Sequence, residues 1–179
     1  MTKEEINALL TKHKVPLYQW GKGEAKTIDH LYREIEAGEC QLVETGEGLQ
    51  RLIAGVAVRI YHQKDGQRQI LLEDRQVFTD GRTRRRDDLI GLGEKMKAGE
   101  DPALAARRVF TEELQIEEEI PLDYRGQSAR GPLTSKSFPG LLTCYETHLF
   151  ETEMPAKLYR ENYTEVQPDK TSYFAWKGI

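Results

Sequence analysis

The sequence predicts an α/β domain preceded by an N-terminal helical extension, and three observations carry that expectation. Near the start, Ile28, Leu31, Tyr32 and Ile35 recur at the i, i+3, i+4, i+7 spacing of a helix that buries one face. Further on, Val56, Val58 and Ile60 alternate with Ala57, Arg59 and Tyr61, and Gln69–Glu73 answers them across the turn Lys64-Asp65-Gly66. That is a β-hairpin. After it, Asp101–Ile116 is rich in Ala, Leu, Arg and Glu and carries Ala106, Phe110 and Leu114 every fourth residue, the buried seam of a second helix.

Composition narrows the class. A chain of 179 residues buries a real core, and 38% hydrophobic with 31% charged residues describes a polar globular protein. The net charge of -4 gives no general case for nucleic-acid binding. Cys40 and Cys144 lack metal-type spacing and read as free thiols of a reducing compartment. The opening MTKEEINALLTKHK has no apolar signal-peptide core, and no run approaches the length of a membrane span. The expectation is a cytoplasmic protein with no membrane contact, although an organelle protein relieved of its transit peptide would read the same.

Residues 1–50 are assigned to the helical extension and 51–179 to the main domain. Ile6, Leu9 and Leu10 predict a short first helix. Gly21–Thr27 superficially resembles a phosphate loop, but Ala25 stands where a glycine must precede the lysine, and no apolar strand leads in. Thr27 instead reads as the N-cap of the second helix, with Asp29 in its first turn and Gly38 closing it. Its apolar stripe packs on the core or on a second subunit, which makes a homodimer one expectation. Trp20 and Tyr18 read as packing residues before base-stacking ones. Strands follow at 40–44 and 49–61. Ser128–Gly140, rich in Ser, Gly and Pro, is expected to be a loop, Leu141–Phe150 a long strand, and Thr171–Trp176 a terminal strand.

The stretch Gly93–Ile116, GEKMKAGEDPALAARRVFTEELQI, begins as a loop and enters its helix at Asp101 as N-cap and Pro102 as first residue. It resembles the Nudix box, G-x5-E-x7-R-E-U-x-E-E-x-G-U with U a bulky apolar residue. Anchored on Glu112-Glu113, the register holds without a gap. Arg108 falls on the box arginine, Phe110 and Ile116 on apolar positions, and Glu100 on the early glutamate. Three positions depart. Glu94 replaces the first glycine (Gly93 is one residue early), Val109 the glutamate after the arginine, and Gln115 the late glycine.

The resemblance implies a Nudix-type α/β/α sandwich with a mixed β-sheet. It implies hydrolysis of a nucleoside-diphosphate-linked or related diphosphate compound with Mg²⁺ or Mn²⁺. Glu112 and Glu113 would be catalytic and would ligate the metal, with Glu100 assisting, while Arg108 would orient the glutamates by ion pairing. A further carboxylate is expected from Glu161 or Glu165. Residues 109, 112 and 113 are spaced i, i+3, i+4, so an α-helix puts all three on one face, and Val109 removes a carboxylate from it. A domain that binds a nucleotide or a protein partner without hydrolysing it therefore stays open. So does the reading of these glutamates as solvated surface. The loop before the box carries Arg82, Arg84, Arg85 and Arg86 with Phe78; these would hold phosphate and substrate, or pair with Asp80, Asp87 and Asp88 as a solvated loop. With its tail and lead-in helix, the chain is also similar to a Nudix-like group of photosynthetic bacteria and plants, which implies no particular substrate.

Overall fold

A computed structural model describes residues 1–85 and 91–179, and in it the chain is mixed α/β, with a large sheet and few helices. Two units divide it: Met1–Gly55, Lys95–Glu100 and Ser128–Thr147 in the first, and Val56–Glu94, Asp101–Gln127 and His148–Ile179 in the second. The first unit thus reaches beyond the sequence lead-in and gathers two later segments.

In the first unit, α1 (Lys3–Lys12) starts from a capping box in which Thr2 and Glu5 satisfy each other's backbone N–H groups. The second helix, α2 (Ile28–Glu36), starts at Thr27, as its sequence requires. Its stripe meets Ile6 and Leu10 of α1, with Trp20, Leu42, Phe138 and Leu141, in one apolar cluster. Core packing therefore accounts for the stripe. Trp20 packs 5.0 Å from the Phe138 ring and donates its indole N–H to Pro139 O at 2.9 Å, while Tyr18 stays exposed. Strand β1 (Gln41–Thr45) pairs antiparallel with the start of β2 (Gly48–Lys64), from Gln41 opposite Leu52 to Thr45 opposite Gly48.

In the second unit, β2 turns into β3 (Gln67–Phe78) through Asp65 and Gly66. Both have positive φ, +51° and +76°, the backbone that a tight hairpin of this twist demands. Residues Thr83–Arg84 form β4 on β3, and Leu92–Lys95 form β5 on β2. Gly91 leads into β5 where a Cβ would stand 2.6 Å from Val58 O, so only glycine permits this approach. Later strands are β6 (Asp123–Thr134), β7 (Leu142–Glu153), β8 (Asn162–Val166) and β9 (Lys170–Gly178). The strand order is β6-β7-β2-β3-β9-β8. The β3–β9 ladder slips between Glu73 and Arg75, a bulge that leaves Asp74 out of register.

Of the loop expected over Ser128–Gly140, residues 128–134 are strand and 135–140 are the loop. Beside β7, β6 runs to Thr134 as an edge strand exposed along nearly its whole length. Tertiary pairing overrides its turn-like composition, and Pro132 is tolerated because an edge leaves N–H positions unused. Among the described residues no helix is long and apolar enough to cross a membrane.

Candidate active site

Helix α3 (Pro102–Arg108) begins as its sequence dictates, with Asp101 Oδ1 accepting from Ala103 N at 2.8 Å and Leu104 N at 3.3 Å. It then widens. Val109–Glu113 is a π-helical turn in which the Thr111 hydroxyl donates back to Arg108 O at 3.2 Å, competing with the backbone pattern. The amides of Leu114 and Ile116 both donate to Phe110 O, at 3.2 and 2.9 Å, and Gln115 between them takes φ +55°. Gln115 thus occupies a left-handed backbone at the position where the Nudix pattern has glycine.

Widening the turn redistributes the faces. Val109 is 0% exposed and joins Phe110, Leu114 and Ile116 among the buried apolar residues. Glu113 is 9% exposed. The Glu112 side chain is 50% exposed and faces Arg108 Nη1 at 3.4 Å. The common face expected for 109, 112 and 113 is therefore not formed, because that expectation assumed α-helical spacing throughout.

Around Glu113 lie other acids. Burial pushes its carboxyl well above the usual carboxylate range, and the charges of Glu94, Glu165 and Glu73 push in the same direction against a weaker pull from Lys170. Glu94, on β5, shares Arg108 with Glu112, its Oε1 lying 3.7 Å from Arg108 Nη1. Glu73, beside the β3 bulge, accepts from Gln76 Nε2 at 2.8 Å through Oε2, while Oε1 is buried with no hydrogen-bond partner. Among the described residues no three His, Cys, Asp or Glu side chains converge as ligands on one point.

The remaining candidates are placed as follows. Glu100 belongs to the first unit, where its carboxylate accepts from Lys97 N at 2.8 Å. Arg82 pairs with Asp80 at 2.7 Å and lies 5.1 Å over the Phe78 ring. Arg84 sits in β4 opposite Gln76, and Arg85 reaches Asp74 at 3.3 Å. Arg86, Asp87 and Asp88 fall outside the described residues. Glu161 is exposed and pairs with Lys64 at 3.3 Å. Sequence reasoning passed over Glu94 and Glu73. Glu94 was within reach, since it occupies a box position; Glu73 enters only through sheet pairing.

No family profile matches the chain, and no curated protein does. Solved structures do. The NUDIX domain of NrtR from Shewanella oneidensis, complexed with ADP ribose, is 14% identical over 71% of this chain and 73% of its own, with TM-score 0.44. An Ap4A hydrolase of C. elegans is 17% identical over 71% and 79%, with TM-score 0.41. The Nudix hydrolase RenU of M. Smegmatis is 18% identical over 77% and 79%, with TM-score 0.35. Likeness at this level assigns neither an activity nor a ligand to this chain.

Proposed function

We propose that the chain is a Nudix-like hydrolase that uses Mg²⁺ or Mn²⁺ to cleave a nucleoside-diphosphate-linked or related diphosphate compound at the acid cluster around Glu113. The observation that carries this reading is a buried glutamate on which the charges of three further carboxylates act. Like charges crowded in a low-dielectric site are relieved by a proton or by a cation, and carboxylate oxygens are the donors a hard divalent cation takes. The unpartnered Oε1 of Glu73 fits that donor set. The box register and the left-handed backbone at Gln115 support the family reading independently of the acids.

When bound, the metal would neutralise phosphate charge and lower the pKa of a coordinated water. Glu113 holds the buried end of the cluster. Glu94 supplies the carboxylate that Val109 cannot, and Arg108 positions Glu94 and Glu112 by pairing with both. Glu112 completes the acids by box register, with Glu165 from β8. Arg82 and Arg85 hold phosphate by exchanging Asp80 and Asp74 for it, Arg84 adds its charge from β4, and Phe78 offers a ring face to the substrate.

A second reading has its own observation: Val109 lies wholly in the apolar core, so the box lacks a carboxylate and the domain binds a nucleotide or protein partner without turnover. Phosphate release is to be measured over nucleoside di- and triphosphates, sugar nucleotides and dinucleotides with Mg²⁺ or Mn²⁺. Metal-dependent turnover that disappears in Glu113→Gln and falls in Glu94→Gln establishes hydrolysis. Calorimetric nucleotide binding with no turnover of any compound establishes the second reading instead.

A further inference from the structure

The first unit contains a cavity of about 340 Å³ that the proposed hydrolysis does not use, within the size range of small-ligand sites. Its walls come from the turn after α2, the start of β1, the middle of β2, the Met96–Gly99 loop and β7. Leu52, Ile53 and Met96 make much of it apolar, and Tyr145 adds an aromatic ring. Leu52 and Tyr145 are also among the large apolar side chains that the chain leaves exposed, at 36% and 38%.

The charged residues of the lining decide what packs there. They are Glu39 and Glu146 against Lys97. A phosphate or carboxylate would meet two carboxylates with one lysine in the lining. An alkyl chain would desolvate both glutamates and offer them no donor. A flat ring with N–H donors on its edge fits both parts: its faces pack on Leu52, Met96 and Tyr145, and its edge donates to carboxylates. Glu39 already accepts from Lys95 Nζ at 2.8 Å, yet a carboxylate has capacity for further donors. We infer that this cavity binds an amino-substituted heteroaromatic ring of the nucleobase class, held by apolar faces and an acidic edge.

Cys144 lines the same cavity and is only half-buried, so its thiol reports occupancy in the unaltered chain. Maleimide labelling of Cys144, followed by peptide mass spectrometry to separate it from Cys40, is to be timed without metal and with adenosine or guanosine added. The expected result is a saturable, at least threefold slowing by one of these nucleosides, with weaker protection by purine riboside, which lacks the exocyclic amine. The protection is also expected to disappear in Tyr145→Ala, a change at a partly exposed position. Absence of protection by both amino nucleosides at millimolar concentration overturns the inference, as does equal protection by purine riboside or by a medium-chain alcohol. Because labelling needs neither metal nor turnover, its failure and a failure of the hydrolysis reading are separate results.

Discussion

Two buried glutamates, one in each unit, meet opposite electrostatic surroundings. Glu34 on α2 is enclosed by cations: Arg51 lies against it, Lys26 Nζ is 2.7 Å away and Lys95 Nζ 3.1 Å away. Burial works against its charge, but Arg51 and the lysines outweigh that and hold the carboxyl down at about 2. Glu113 has almost the same exposure but is enclosed by acids and is pushed the other way. Arg51 also lies 4.8 Å over the Phe138 ring, so the Glu34 network joins α2, β2 and the apolar core. The difference separates an ionised glutamate used as a fastener from one whose surroundings favour the protonated form. Strongly perturbed groups mark both structural networks and functional sites.

Removing the fastener has the largest expected effect. Arg51→Ala leaves Glu34 buried without its guanidinium and is expected to destabilise the fold by roughly 3–5 kcal/mol in urea unfolding. A loss under about 1 kcal/mol would erase the contrast between the two glutamates. Acid titration tests the same network. Because the folded-state value is depressed from the ordinary 4.5 to about 2, its contribution is present above 4.5 and is lost as pH falls through about 2. That contribution is worth roughly 3 kcal/mol at neutral pH.

Val109→Glu restores the Nudix pattern on paper but inserts a carboxyl at a fully buried core position. The expectation is a destabilisation of roughly 2–4 kcal/mol with no gain in Mg²⁺ affinity by calorimetry; tighter Mg²⁺ binding would show that the π-turn can rewind. At Glu113 the sign reverses. Its folded-state value is raised, so stability falls as pH rises from the ordinary value of 4.5 towards the raised one, and the cost is complete above it. Glu113→Gln is expected to flatten that slope and to stabilise the metal-free chain at neutral pH by about 1 kcal/mol while abolishing hydrolysis. An unchanged pH–stability curve would mean the acids around it do not act together. The smallest effect is at Gln115, where Gly relieves the positive φ. A gain of roughly 0.5–1 kcal/mol is expected in thermal unfolding, reduced by the lost contact from Gln115 Nε2 to Thr164 O at 3.4 Å.

What the sequence determined by itself is what neighbours along the chain decide. Asp101 and Pro102 start α3, Thr27 starts α2, and Asp65-Gly66 turns the hairpin, because caps and tight turns are satisfied within a few residues. The box register was legible for the same reason, since its residues share one short segment. Tertiary structure alone decided that β6 runs on to Thr134, that Val109 belongs to the core, and that the charges of Glu73 and Glu94, from β3 and β5, act on Glu113. Each of these depends on which distant strand lies alongside, and a carboxylate's ionisation follows the charges around it in space, which residue spacing does not encode.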